Sequence, residues 1–360
     1  MTTSSKISQL EYKDFSLQIQ SQHATAGKFV KVQLEVTYGC NLHCVHCYTD
    51  PFNKPSLIKT EMDFDAVCKS LDRLRAEGFL WLCFTGGEIF FRKDFLKIYD
   101  YAFERGFLIT LFTNATLISD EIAEHLAKHP PFSIEISIYG ATTETYERVT
   151  QVKGSFAKFK AGSERLASRK LPIKFKTSAL TLNVHELAQM QVFAEALNAT
   201  FKWSGTIYPR LNGDASVATY RLEPKKLLQL EFEDEKHKTE SCVPAIQDQG
   251  VKAEPPANLY RCGCGKLNAH INPYGLVGTC TWSQFGRFEI QRTGIQDGMR
   301  QIAQGIQTQT YQENSACRSC TAFQFCDKIP EMAVYETGGN AHSPIQHFCD
   351  VAFGRAEKGL

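Results

Sequence analysis

The sequence predicts an α/β protein, a partial parallel (β/α)6 barrel followed by a small cysteine-rich domain. Two observations carry this. Strand-like and helix-like stretches alternate six times between Lys31 and Pro209, and eight of the 13 cysteines fall after residue 240. The expected division is an N-terminal extension at 1–30, the barrel at 31–209, a connector at 210–260 and the cysteine-rich domain at 261–360.

The strand-like runs are 32–37, 80–86, 107–113, 132–138, 173–180 and 200–207. Helical periodicity covers about 62–77, 94–105, 119–128, 155–169 and 185–198, where apolar residues recur at three and four. Val67, Leu71 and Leu74 share one face, and Gly78 is a stop signal. Strands joined by helical crossovers pair in parallel, and such barrels place function at the C-terminal ends of their strands. A charged helix starts near Pro224, and beyond residue 260 glycine and cysteine are dense and helices short. So small a core calls for a metal staple.

Composition excludes several classes. Lys plus Arg number 40 and Asp plus Glu 39, so no global charge draws the chain to nucleic acid or anionic lipid. No apolar run is long enough to span a bilayer, and the N-terminus lacks an export signal. A cytoplasmic location is expected, and there cysteines serve as metal ligands or catalytic groups rather than disulfides. Cys68, on a helix, and Cys83, in an apolar strand, read as small buried hydrophobes.

Cys40, Cys44 and Cys47 follow the first strand directly, in Thr37-Tyr38-Gly39-Cys40-Asn41-Leu42-His43-Cys44-Val45-His46-Cys47-Tyr48. Three thiolates suit a cubane iron–sulfur cluster with one open iron, and a structural zinc site wants a fourth ligand. His43 and His46 sit between the cysteines, where chelation through the same loop is cramped.

CxxxCxxC with an aromatic residue, His46, before its last cysteine resembles the radical SAM superfamily. Further motifs fall on successive strand ends: Gly86-Gly87-Glu88, Thr113-Asn114, Ser137, and Asn183 with Glu186 in N-x-x-E-L. The resemblance covers roughly residues 30–208. It implies that Gly86, Gly87, Glu88, Thr113, Asn114, Ser137 and His46 contact S-adenosylmethionine beside a [4Fe-4S] cluster on Cys40, Cys44 and Cys47. The implied chemistry is reductive cleavage to a 5′-deoxyadenosyl radical, which abstracts a substrate hydrogen. Two departures stand out: Tyr139 occupies the carboxylate position of the usual S-x-D ending, and Thr150 stands where many relatives carry arginine.

The C-terminal pattern is similar to the SPASM extension, an iron–sulfur domain found in PqqE-like maturases. The resemblance implies one or two auxiliary clusters. Cys317, Cys320, Cys326 and Cys349 would hold one, and Cys262, Cys264 and Cys280 the other. Pro330 stands where a further cysteine is usual, so the second set lacks a ligand unless Cys242 supplies it. A zinc knuckle on the four later cysteines is the alternative.

Most such relatives modify peptides, which points to a precursor-peptide substrate, with cross-linking, epimerisation or backbone excision as the modification. The resemblance also implies a flavodoxin- or ferredoxin-type electron donor. About 30 residues precede the first strand, so either a separate leader-peptide recognition protein or direct leader binding by the barrel is expected in place of an N-terminal recognition domain. One alternative is tailoring of a tetrapyrrole side chain in the haem pathway, with Arg148, Arg210 and Arg221 either meeting carboxylates or lying solvated. The other is an anaerobic sulfatase-type maturase, disfavoured by Thr281 after Cys280 where an aspartate base is usual. No catalytic acid or base is assigned.

Overall fold

The structure, a computed structural model, describes residues 11–234, 258–260, 265–292 and 294–358. Cys242, Cys262 and Cys264 lie outside them. Six strands, β1 (Lys31–Thr37), β2 (Trp81–Gly86), β3 (Leu108–Thr113), β4 (Ser133–Ser137), β5 (Ile173–Ser178) and β6 (Thr200–Ser204), pair in parallel in chain order. The helices before and between them are α1 (Tyr12–Thr25), α2 (Pro55–Ile58), α3 (Phe64–Ala76), α4 (Phe95–Glu104), α5 (Asp120–Lys128), α6 (Thr143–Thr150), α7 (Ser155–Ser168) and α8 (Leu187–Ala196). After β6 come α9 (Pro224–Glu233), β7 (Asn268–Ile271), β8 (Leu276–Gly278), β9 (Phe288–Glu289), α10 (Ile295–Gln307), α11 (Pro330–Glu336) and α12 (Gln346–Glu357).

Local sequence explains the helix ends. The Asp63 carboxylate accepts from Ala66 N at 2.8 Å to start α3, and Ser119 Oγ accepts from Ile122 N at 3.2 Å to start α5. Gly78, at φ +89°, stops the chain after α3 where an L side chain would be strained. Val32, Leu34 and Val36 of β1 pack in one core with Val67, Leu71 and Leu74 of α3. The alternate residues of β1 face the opposite side of the sheet.

That other face is concave. A single cavity of about 780 Å³ is lined by residues from β1, β2, β3, β4, β5 and β7, including Gln33, Cys83, Glu135, Lys176 and His270. Only a sheet curled around that space brings side chains from six strands together. The barrel is partial: the strand order runs from β6 at one edge to β9 at the other without closing. Helix α1 lies across the N-terminal end, where Trp81 Nε1 donates to Tyr12 Oη at 2.9 Å and Lys31 Nζ donates to Gln20 Oε1 at 2.7 Å.

Three features differ from or add to the sequence reading. First, α6 occupies a stretch for which no helix was expected; Thr142 caps it, accepting from Thr145 N at 3.2 Å. Second, the sheet continues past β1. Strand β7 pairs in parallel with β1, and β8 and β9 add antiparallel strands. Third, Cys83, expected as a small buried hydrophobe, lines the barrel cavity.

Candidate radical-generating site

The loop carrying Cys40, Cys44 and Cys47 leaves the end of β1 and is tied down on two sides. His43 N–H donates to Thr150 O at 3.1 Å and Val45 N–H to Val149 O at 3.0 Å, which fixes the middle of the loop to the last turn of α6. Asn53 clamps Cys40 through a reciprocal pair, accepting from Cys40 N at 3.1 Å and donating to Cys40 O at 3.0 Å.

All three thiols are unpaired in disulfides, and burial pushes each of them above the usual thiol range. Neutral thiols in that setting stay protonated until a metal supplies positive charge. Donors already point at sulfur: Leu42 N–H lies 3.4 Å from Cys40 Sγ, and Asn114 Nδ2 lies 3.8 Å from it. Thr49 Oγ1 is 3.3 Å from Cys47 Sγ. Neither histidine of the loop completes a zinc site. His43 Nδ1 pairs with Asp50 Oδ1 at 2.9 Å, and the buried His46 packs edge-on against Tyr139 with ring centroids 4.9 Å apart. Burial, helped by Arg210, lowers His46 to about 4. The donor set is therefore three thiols and one open position, which fits a site-differentiated cluster.

The other motif residues surround this loop. Gly87 N–H donates to Thr37 O at 2.8 Å and Glu88 N–H to Gly39 O at 2.9 Å, so the turn after β2 lies against the base of the cysteine loop. A Cβ on Gly86 would overlap Thr37 O, and one on Gly87 would overlap Gly39 O and Tyr38 O. Both glycines are thus required by backbone contact. The fully buried Glu88 carboxylate accepts from Thr113 Oγ1 at 2.8 Å and from Asn114 N at 2.6 Å, and burial pushes its pKa up to about 7. It ties the ends of β2 and β3 together, and Asn114 in turn reaches Asn41 Oδ1 at 3.2 Å. Ser137, at the end of β4, contacts Tyr139, which burial and the nearby cysteines push well above the usual phenol range.

Asn183 and Glu186 serve the scaffold. Asn183 is buried, accepts from Leu180 N at 2.8 Å and donates to Ser178 O at 3.1 Å. Glu186 receives Ala141 N at 2.6 Å, Thr142 Oγ1 at 2.7 Å and Thr145 Oγ1 at 2.6 Å, which holds the start of α6 and, through it, the cysteine loop.

Of the two roles left open for the arginines, meeting tetrapyrrole carboxylates or lying solvated, Arg210 and Arg221 take neither and bond partners within the protein. Arg221 is buried and bonds Glu336 through both terminal nitrogens at 2.7 and 2.6 Å, and Ile207 O at 2.8 Å. Arg210 bonds Val45 O at 3.1 Å and Asp50 at 3.5 Å, and Arg148 bonds Leu182 O at 2.9 Å.

One group was missed. Glu35, on the concave face of β1, has no exposed surface, and it accepts from Tyr38 Oη at 2.9 Å and Tyr48 Oη at 3.3 Å. His270 of β7 places Nε2 3.0 Å from Glu35 Oε2, off the line of a hydrogen bond, and its buried Nδ1 meets no partner among the described residues. His270 and Cys280 both line the barrel cavity. The signal was the polar alternation Gln33, Glu35, Thr37 inside an apolar strand; His270 carried none, since its strand was not predicted.

Of the later cysteines, Cys349 lies close enough to Cys317 and Cys320 for them to raise its pKa further after burial has done so. Burial raises Cys326 to about 11, with Cys349 adding to the shift. In the sequence Thr281 follows Cys280, and its carbonyl accepts from Arg287 Nη2 at 2.7 Å.

A family profile described as the radical SAM superfamily matches residues 34–194, the stretch that carries the cysteine loop and the motif residues around it. That stretch is a radical SAM domain. It is 27% identical to the mycofactocin maturase MftC of Mycobacterium ulcerans over 304 residues, covering 81% of this chain and 80% of that protein. It is 29% identical to an AdoMet-dependent heme synthase of Methanosarcina barkeri over 202 residues, 56% of this chain and 57% of that protein. The radical SAM chain thus spans little more than half the length of that relative. Its fold is that of SuiB from Streptococcus suis in complex with the precursor peptide SuiA, with a TM-score of 0.64 over 95% of this chain and 82% of that one, at 14% identity.

The protein is accordingly an enzyme that uses S-adenosylmethionine and an iron–sulfur cluster, and Cys40, Cys44 and Cys47 are the residues that would hold that cluster. When bound, these would supply the radical chemistry; the chain's own part is the buried, hydrogen-bonded cradle around the cysteine loop. No helix among the described residues is long and apolar enough to cross a membrane.

Proposed function

We propose that this radical SAM enzyme modifies a ribosomally made precursor peptide after abstracting a hydrogen atom from it. The observation that carries the reading is the alignment to a maturase over 81% of this chain, well beyond the length of the barrel alone. Two of the three candidate arginines support it too: Arg210 and Arg221 serve internal partners, which leaves only the exposed Arg148 to meet a tetrapyrrole carboxylate.

Cys317, Cys320, Cys326 and Cys349 would hold an auxiliary cluster, and Cys280 with Cys262 and Cys264 a second. The substrate would enter between the cysteine loop and Cys280. There Glu35 and His270 offer a buried carboxylate–imidazole pair able to hold a proton beside the reacting carbon. A leader-recognition protein and a flavodoxin- or ferredoxin-type donor complete the proposed set of partners.

The test is incubation of reduced enzyme with S-adenosylmethionine and each short peptide encoded beside its gene. The expected result is a mass change in one peptide, with 5′-deoxyadenosine released in step. The match to a heme synthase keeps a second reading, tetrapyrrole side-chain tailoring. Unchanged peptides, together with conversion of a porphyrin carboxylate, would establish that reading instead.

A further inference from the structure

The outer helical layer carries a cluster that the radical chemistry does not use. Asp100 of α4, His125 of α5 and His129, just past the end of α5, converge on one point. His125 Nε2 lies 2.7 Å and His129 Nδ1 3.2 Å from the same carboxylate oxygen, Asp100 Oδ1. One ligand atom from each of the three residues lies within 4.8 Å of the others. We propose that this is a zinc site, with two imidazoles and one carboxylate as protein ligands and water in the fourth position.

The local sequence builds it. His125 and His129 stand four apart and so share one helix face, directed at α4. Both rings are held. Phe103 stacks on His129 with centroids 5.1 Å apart and planes at 15°, and Tyr99 meets His125 edge-on. Tyr99 Oη also donates to His129 O, which anchors the chain where α5 ends. The last turn of a helix carries partial negative charge, which favours a cation there.

Donor chemistry selects the ion. Two nitrogens and one oxygen suit zinc and its first-row neighbours, whereas calcium and magnesium take oxygen alone. An exposed histidine–aspartate pair contributes little to stability, and nothing in such a pair calls for two imidazoles on one oxygen. The side chains of His125 (29% exposed), Asp100 (33%) and His129 (46%) leave a path for the ion and room for water. Bound there, zinc would tie together the two crossover helices that flank β3.

The experiment uses the enzyme with its iron–sulfur clusters in place, freed of adventitious metal by a chelator and titrated with Zn²⁺ against a chromophoric competitor. The wild type is expected to take one zinc per chain with higher affinity than His125→Ala, His129→Gln or Asp100→Ala, each at least about tenfold weaker. All three variants should keep wild-type iron content and 5′-deoxyadenosine release, which shows that they fold. Zinc should also raise the Tm of the wild type and leave the variants unmoved. Equal uptake by wild type and variants, or no uptake by the wild type, overturns the proposal.

Discussion

The two cysteine sets of this radical SAM enzyme are held in different ways. The loop bearing Cys40, Cys44 and Cys47 springs from β1, an interior strand flanked by β2 and β7, and backbone hydrogen bonds fasten it to α6 and to the turn after β2. Cys317, Cys320 and Cys326 ride on turns between short elements. Their surroundings are fastened by side chains. Arg221 pairs with Glu336, Arg355 with Glu231 and Asp327, and Lys328 Nζ donates to the carbonyls of Ala341 and Ser343. The first set is part of the continuous core. The second depends on buried ion pairs and, under the proposed function, on the cluster it would hold.

The largest break in this comparison is Cys44→Ser. Removing one of three ligands from a buried loop should drive 5′-deoxyadenosine formation to background, measured by chromatography after reduction with dithionite, with iron content falling alongside. Arg221→Ala probes the other fastening. It strands Glu336 in the interior and should cost about 3–5 kcal/mol in chemical unfolding, concentrated in the C-terminal region. A loss below about 1 kcal/mol would mean the ion pair does not hold that end.

Glu88 offers a smaller effect with a definite sign. Burial raises its carboxyl from 4.5 to about 7 in the folded protein. The folded state therefore keeps its proton while the unfolded chain releases one. Stability attributable to Glu88 should be fully present below about pH 4.5 and fall by roughly 3 kcal/mol as pH rises to about 7. Glu88→Gln should be less stable at low pH but lack this slope, as read from unfolding midpoints across that range. The smallest effect should come from Cys349→Ser: if the two sets are independent, 5′-deoxyadenosine release changes by no more than about twofold, although iron is lost.

Much of the barrel was legible because each strand had an apolar alternation and each crossover helix an amphipathic face long enough to read. Val67, Leu71 and Leu74 announced α3, and all three are fully buried. Helix α6 escaped because it is only eight residues long and its polar residues, among them Thr145, are buried against Glu186. Strand β7 escaped because its four residues, Asn268–Ile271, gain their place from pairing with β1, far away in sequence. That pairing brings His270 to Glu35, so this polar cluster inside the barrel was invisible without the fold. The motif residues were readable as a set, but their individual tasks were not. Glu88 and Glu186 spend their carboxylates on neighbouring backbone and hydroxyl groups, a fact that only the geometry discloses.

The most direct test of the account is 5′-deoxyadenosine release by Cys44→Ser and Cys349→Ser, assayed side by side with reductant and S-adenosylmethionine. The account predicts none from the first and near wild-type amounts from the second. Equal loss in both, or release by Cys44→Ser, would contradict it.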